Sequence, residues 1–190
     1  MSDPFPSPEF LKTLHPLPEE KELFQTLLKL VGSLRDFVAR KWNRSLPLGD
    51  YFSDRWERAK GLGFGEGSSI YDSSLVLGEV QVGRDTWIGP FTLLDGSGGL
   101  AIGDQTTISA GVHLYSHDSV KRTLSGNQVD SERAPTKIGS RCYLGPNVVV
   151  SMGVSIGDGS VIGANSLVLE NIPKGTKAFG NPCRVVGPAE

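Results

Sequence analysis

The sequence has few cysteines, no long apolar run and little net charge. Its 190 residues include only two cysteines, Cys142 and Cys183, too few for a disulfide framework or a thiolate zinc site. No apolar run approaches the roughly 20 residues that span a membrane, and a net charge of -2 gives no electrostatic basis for binding nucleic acid. The opening residues, MSDPFPSPEF, lack the regions of a signal peptide. We therefore expect a cytoplasmic protein with reduced thiols and no membrane span.

Glycine, by contrast, is abundant, with 24 residues and no collagen-like period of three. Such an excess is typical of a repeated architecture with many tight turns. The chain divides into an N-terminal helical segment at 1-63, a repeat region at 64-172 and a C-terminal tail at 173-190.

The N-terminal segment predicts one amphipathic helix. Pro18, Glu19 and Glu20 are typical of a helix start, and the apolar residues that follow recur at spacings of three and four as far as about Trp42. Those residues are Phe24, Leu27, Leu28, Val31, Leu34 and Val38. A second short helix is expected to start at Asp50 and carry Trp56. The stripe could bind a membrane surface, but acidic residues interrupt the polar face, so packing against the rest of the protein is favoured.

From Ile70 the sequence repeats every six residues. If two extra residues follow Leu94 and a longer excursion follows Leu114, fourteen successive positions of the period are all Ile, Leu or Val. They are Ile70, Val76, Val82, Ile88, Leu94, Ile102, Ile108, Leu114, Ile138, Leu144, Val150, Ile156, Ile162 and Val168. A hexapeptide forms one short strand and one turn, so three of them close a triangular coil around an aliphatic interior.

The repeat, together with the closing run IGDGSVIGANSLVLENIPKGTKAFGNPCRVVG, resembles the hexapeptide-repeat acyltransferases. The segments IGPFTLLDGSGGLAIGD and GVHLYSHD are similar to those of the sugar and polysaccharide O-acetyltransferases in that family. The resemblance implies an all-β solenoid, a left-handed parallel β-helix of about five coils with a short α-helical N-terminal segment. Left-handedness comes from the family alone, since ordinary crossover connections are right-handed.

Two insertions interrupt the repeat, and three hexapeptides per coil put both at one corner of the prism. Val76, Leu94, Leu114, Val150 and Val168 should stack in one column. The first insertion adds two residues in a turn at 95-99, and the second adds 18 residues at about 118-135. Surface loops tolerate insertion at low cost, but two at one corner favour a functional site.

His117 is the predicted catalytic residue. It lies at the base of the long insertion, and the resemblance implies a catalytic histidine at such a loop. A neutral imidazole can accept the proton of a sugar hydroxyl while its oxygen attacks acetyl-CoA, with no covalent acetyl-enzyme. Asp95, Tyr115 and Asp118 are candidate substrate-binding residues, and either Asp95 or Asp118 is expected to orient the ring. His113 is assigned a packing role.

The resemblance also implies a groove for acetyl-CoA between two prisms, lined by Gly145 and Ala164, with Arg184 and Lys177 as cationic candidates. Arg184 has two interpretations, contact with a CoA phosphate or attachment of the tail. A site between subunits implies a homotrimer, and an outward apolar row of Trp87, Tyr143, Val149, Val161 and Leu167 is consistent with a subunit contact.

The predicted function is therefore an acetyl-CoA-dependent O-acetyltransferase acting on a sugar or surface-polysaccharide precursor, with no metal expected. The alternative within the same cofactor groove is N-acetylation of a nucleotide-linked amino sugar. A zinc enzyme of the carbonic anhydrase type shares the repeat but needs three histidine ligands, whereas the repeat region contains only His113 and His117. A prism without catalysis is the remaining alternative, and the two insertions disfavour it.

Overall fold

A computed structural model describes residues 20-189, and its chain divides into two compact units between Phe52 and Ser53. The helix start predicted at Pro18 and Glu19 lies outside the described residues. Among the described residues, no helix has both the length and the apolar character needed to cross a membrane.

The first unit consists of the predicted amphipathic helix and a short turn. Helix α1 runs from Lys21–Trp42 and ends at Asn43, whose left-handed backbone (φ 50°) lets its N–H bond to the carbonyl of Ala39. A single 3-10 turn follows at Gly49–Tyr51, and the Tyr51 hydroxyl accepts a hydrogen bond from the Leu46 N–H at 2.8 Å. The helix predicted to end at about Trp42 is confirmed.

The second short helix begins later than predicted. Helix α2 spans Arg55–Gly61, and the Asp54 side chain accepts hydrogen bonds from the N–H groups of Trp56 and Glu57. Asp54 therefore satisfies the free donors of the first turn, whereas Asp50 lies in the preceding 3-10 turn. The predicted start at Asp50 was wrong because an aspartate four residues later caps the helix.

The second unit is the predicted parallel β-helix, and its strands stack on three faces. The first face contains β1 (Ser69–Ile70), β3 (Trp87–Ile88), β5 (Thr107–Ile108), β10 (Tyr143–Leu144), β13 (Val161–Ile162), β15 (Thr176–Phe179) and the antiparallel β16 (Arg184–Pro188). The second face contains the first halves of β2 (Leu75–Val82) and β4 (Leu93–Ile102), then β6 (His113–Leu114), β11 (Val149–Val150) and β14 (Leu167–Val168). The third face contains the ends of β2 and β4, then β9 (Thr136–Ile138), β12 (Ser155–Ile156) and a bridge to Ile172.

The six-residue period fills the interior of this prism. Thirteen of the fourteen periodic aliphatic residues are buried, and Val76, in the first coil, is half-buried. The predicted column is confirmed by register, since Val76 pairs with Leu94, Leu94 with Leu114, Leu114 with Val150, and Val150 with Val168. The aliphatic residues of each coil therefore stack directly on those of the next coil.

We name the three prism edges by the faces that they join. The first corner joins the first and second faces, the second corner joins the second and third, and the third corner joins the third and first. Close backbone approach explains the glycine at the first corner, because a Cβ on Gly145 would lie 2.6 Å from the backbone nitrogen of Ala164.

Three further predicted details differ in the structure. Residues 95-99, expected as a turn, lie within the continuous strand β4, which pairs with β2 through a register shift between Gly78 and Val80. The outward apolar row occupies two faces, because Trp87, Tyr143 and Val161 belong to the first face and Val149 and Leu167 to the second.

The C-terminal residues, expected as a tail, supply β15 and β16, so the solenoid has about six turns. Cys142 and Cys183 are buried free thiols, and burial raises the pKa of both.

Candidate functional site

The second corner brings together residues from three successive coils. Asp95 follows the interior Leu94 in β4, and His117 follows Leu114 of the next coil, at the start of strand β7 (His117–Asp118). Ser151 and Met152 follow Val150, one coil further on. The insertion between Leu114 and Ile138 leaves this corner as a hairpin, in which His117 pairs with Arg133 of β8 (Glu132–Arg133).

Asp95 and His117 form the central contact of the site. The Asp95 Oδ2 atom lies 2.5 Å from the His117 Nδ1 atom. A carboxylate can only accept a hydrogen bond, so Nδ1 carries the proton of the neutral ring and Nε2 is its basic nitrogen. The Asp95 side chain is completely buried, whereas that of His117 is 38% exposed. The buried Asp95 carboxylate thus holds the partly exposed imidazole of His117 in one orientation.

Hydrogen bonds keep the buried Asp95 carboxylate ionised. Burial by itself would raise the pKa of Asp95, but hydrogen bonds from Ser97, from the Ser116 N–H and from His117 hold that pKa well below its usual range. The Ser97 N–H donates to Oδ1 at 3.0 Å and the Ser116 N–H donates to Oδ2 at 2.9 Å. The negative charge beside His117 is therefore retained at neutral pH.

Glycines allow the backbone around Asp95 to pack this closely. A Cβ on Gly96 would lie 2.1 Å from the carbonyl oxygen of Glu79, and a Cβ on Gly98 would lie 2.3 Å from that of Ser116. The Gly98 N–H also donates to the Ser116 hydroxyl at 2.8 Å. The DGSGG segment was predicted as part of the site, and the need for its glycines is steric.

The long insertion is braced by its own polar contacts. The Asp118 Oδ1 atom accepts the Val120 N–H at 2.5 Å, at the start of helix α3 (Val120–Leu124). Lys121 and Glu132 form an ion pair of 2.6 Å across the hairpin, and the Glu132 carboxylate raises the pKa of Lys121. Of the two aspartates that could orient His117, Asp95 makes that contact and Asp118 braces the loop.

An open cavity of about 320 Å³ lies against His117, and its size matches the lower end of the range for small-molecule sites. Its walls are Tyr115, His117, Asp118, Ser119, Val120, Ser151 and Met152. Sequence reasoning missed Ser151 and Met152, although the predicted column places them directly after Val150 at the same corner. Val120 and Met152 give the cavity an apolar side that complements its polar groups.

The residues assigned to acetyl-CoA lie elsewhere on the prism. Gly145 and Ala164 stack at the first corner, where Gly145 is buried and Ala164 exposed. Lys177 is exposed on the first face, and it pairs with Val161 and Gly187. The Arg184 guanidinium donates to the Cys183 carbonyl and lies 3.8 Å from the Glu170 carboxylate. One chain does not bring these residues to His117, which occupies the second corner.

Within residues 20-189, no cluster of three or more His, Cys, Asp and Glu side chains could hold a metal ion. The ring of His113 packs at right angles to that of Tyr115, with centroids 6.0 Å apart. The two histidines of the repeat region therefore have different surroundings, one aromatic and one ionic.

Comparisons with known proteins agree with this architecture. The family model described as the hexapeptide repeat of succinyl-transferase matches residues 135–170. The galactoside O-acetyltransferase of Escherichia coli K12 is 31% identical over 55% of this chain and 62% of its own length. The chain spans less than two thirds of the curated relatives that it matches first.

Two solved structures extend the comparison over more of the fold. A maltose O-acetyltransferase from Clostridium difficile 630 has a TM-score of 0.58 and 26% identity, over 85% of this chain and 89% of its own. The N-acyltransferase AntD from Bacillus cereus, solved with dTDP and 3-hydroxybutyryl-CoA, has a TM-score of 0.61 at 22% identity, over 67% and 72% of the two chains. The AntD match concerns the fold alone. The repeat and the prism are therefore similar to those of the hexapeptide-repeat acyltransferases.

Proposed function

We propose that the protein transfers the acetyl group of acetyl-CoA to a hydroxyl of a sugar or a surface-polysaccharide precursor. The observation that carries this proposal is the Asp95–His117 pair at the edge of an open cavity. The matched galactoside and maltose O-acetyltransferases are named for the same reaction on sugar acceptors.

His117 acts as the general base in this proposal. Asp95 keeps the proton on Nδ1, so Nε2 accepts the proton of the acceptor hydroxyl as its oxygen attacks the acetyl carbonyl. The buried carboxylate then stabilises the imidazolium that forms, as an aspartate does for the histidine of a serine hydrolase. The tetrahedral adduct then breaks its C–S bond, and CoA leaves as a thiolate that takes the proton from Nε2, which restores the neutral ring. No side chain of the site has to carry the acetyl group covalently.

The proposed acetyl-CoA contacts support a site shared between chains. Gly145 lets the chain pack against the backbone of Ala164, whose small side chain is exposed at the first corner, and Lys177 and Arg184 are exposed cations on the strands beside it. Because His117 lies at the second corner, a complete site needs the first corner of another prism. We therefore propose a homotrimer, which equilibrium sedimentation of the 20.4 kDa chain tests directly.

The proposed function is tested by titrating acetyl-CoA calorimetrically and then measuring CoA release with sugar acceptors. Saturable binding near one per chain is expected for wild type and for His117→Ala. The His117→Ala variant should turn over roughly 100- to 10,000-fold more slowly. Asp104→Asn is the control, since that aspartate accepts a backbone hydrogen bond from Arg84 and lies outside the cavity lining. Near-normal turnover in a folded His117→Ala variant would disprove its role.

The rival acceptor is the amine of a nucleotide-linked sugar. An unprotonated amine attacks a thioester with less need of a base than a hydroxyl does, so this acceptor would show product with only a small effect of His117→Ala. Product from amino sugars but none from hydroxyl acceptors would replace the O-acetyltransferase proposal. Absence of acetyl-CoA binding at millimolar ligand would exclude both.

A further inference from the structure

The first unit exposes several large apolar side chains. On helix α1 they are Leu23, Leu27, Leu30 and Phe37, with exposed fractions from 46% for Leu30 to 62% for Leu23. Their spacing of four, three and seven residues keeps them on one side of the helix. Trp42, Leu48 and Phe52 extend the exposed set beyond the helix end, each more than half exposed. We name these seven residues the apolar surface of the first unit.

Basic residues accompany the aromatic end of this surface. Between positions 35 and 44 the chain has Arg35, Arg40, Lys41 and Arg44 but only one acidic residue, Asp36. The Lys41 ammonium lies 4.7 Å from the centroid of the Trp42 ring and 5.3 Å from that of Phe37. The helical period places Asp36 on the side opposite the apolar stripe, and Glu20 and Glu22 lie at the other end of the helix from these basic residues.

We infer that the apolar surface of the first unit docks on a membrane that contains anionic lipid. An amphipathic helix with leucine and aromatic residues on one side and lysine and arginine beside them lies in the membrane interface. Tryptophan is favoured at the level of the headgroups, and each basic residue near an anionic leaflet adds attraction. The positive charge of residues 35-44 complements such a leaflet.

The same charges disfavour a parallel contact with a second copy of the chain. A parallel symmetric contact would place the same patch of one copy against the same patch of the other. Arg40 and Lys41 would then face their own counterparts, and like charges in contact are destabilising. An anionic surface removes this repulsion and covers the same side chains.

Vesicle sedimentation with the full chain tests the inference. The protein should bind vesicles of phosphatidylcholine mixed with phosphatidylglycerol at least about 10-fold more tightly than vesicles of phosphatidylcholine alone, and added salt should weaken that binding. The tryptophan emission should shift to shorter wavelength on binding, and most of the shift should be lost in Trp42→Phe. Equal binding to both vesicle types, or none to either, would overturn the inference.

Two double variants separate the contributions, each expected to weaken vesicle binding at least about 10-fold. Leu30→Ser with Phe37→Ser removes apolar contact, and Arg40→Glu with Lys41→Glu reverses charge. Val186→Ser is the control, because Val186 is also exposed (52%) but lies in β16 of the other unit, and it should bind as wild type does. Concentration-dependent association that the serine double variant abolishes, without any vesicle binding, would assign the surface to another copy. Acetyl transfer measured without vesicles is independent of these outcomes.

Discussion

The second and third corners of the prism use an aspartate in the same way and reach different results. At the third corner, Asp104 Oδ1 accepts the Arg84 N–H of the preceding coil at 2.8 Å, and its Oδ2 lies 3.7 Å from the Arg84 guanidinium. The Asp104 side chain is 44% exposed. At the second corner, Asp95 accepts the Ser116 N–H of the following coil and also holds the ring of His117, with no exposure to solvent.

The difference shows how a structural contact between coils becomes a site. Both aspartates join one coil to its neighbour through a backbone N–H. Only Asp95 has the extra glycine-rich residues that enclose it, and only its neighbouring coil carries a long insertion with a histidine at the base. Because Asp95 is buried and still ionised, it can accept the hydrogen bond from His117 without competition from water.

The largest expected effect that separates the corners is on activity. Asp95→Asn should lower kcat at least about 10-fold, because an amide can stabilise the ring tautomer with the proton on Nε2. Asp104→Asn is the matched change at the third corner and should leave kcat near the wild-type value. Steady-state acetyl transfer measures both. An Asp95→Asn enzyme as fast as Asp104→Asn would show that the carboxylate does not position His117.

The second effect concerns stability and its dependence on pH. Asp95→Asn should lower the free energy of unfolding by about 1.5 to 3 kcal/mol at pH 7, the value of hydrogen bonds to a buried charge. The pKa of Asp95 is depressed in the folded protein, so its stabilisation is fully present above the unfolded pKa of about 4 and is lost progressively as pH falls from there through the depressed pKa, with only part of it lost by about pH 3. Urea denaturation from pH 7 to pH 3 should show wild type and variant converging. A constant difference would contradict the assignment.

A third effect tests whether the glycine-rich segment must pack as it does. Gly98→Ala should destabilise the protein by about 1 to 3 kcal/mol, because the added Cβ meets the Ser116 carbonyl and forces the chain to shift. Gly61→Ala is the control, since a Cβ at that position at the end of α2 meets nothing within 4 Å. Thermal unfolding of the two variants should differ in direction or at least in size, and equal melting temperatures would refute the steric account.

The smallest effect is expected at the brace of the long insertion. Glu132→Gln removes the exposed ion pair with Lys121, and exposed pairs contribute little to global stability. The melting temperature should therefore stay unchanged, while tryptic cleavage after Lys121 and Arg122 should become faster because the hairpin opens more often. Unchanged cleavage would show that the backbone pairing of β7 and β8 holds the loop alone.

The prism could be predicted from the sequence because its period is short and strict. Each hexapeptide repeats the same aliphatic layer, so the column from Val76 to Val168 and the location of both insertions follow from counting. The partner of His117 could not be predicted in this way. Asp95 and Asp118 are both near it by count, and only the enclosure of Asp95 by Ser97, Ser116 and the glycines distinguishes them.

Other differences arise where local structure does not follow the period. Residues 95-99 were expected to form a turn, yet parallel pairing with β2 continues through Gly96 and resumes at Leu100, so the extra residues form a bulge in which Gly99 has a positive φ of 93°. Helix α2 begins beyond Asp50 because two aspartates were available and Asp54 fits the cap. In both cases a contact with another part of the chain, or a choice between equivalent residues, decides the outcome.

The long insertion leaves the strands on either side of it in register, since Leu114 still pairs with Leu94 before it and with Val150 after it. The prism therefore does not depend on the conformation of the insertion, whose two ends are held together by the pairing of β7 with β8. The entropic penalty of a longer loop grows only logarithmically with its length. Replacement of residues 118-135 by another loop is therefore expected to leave the prism folded and the contact between Asp95 and His117 in place.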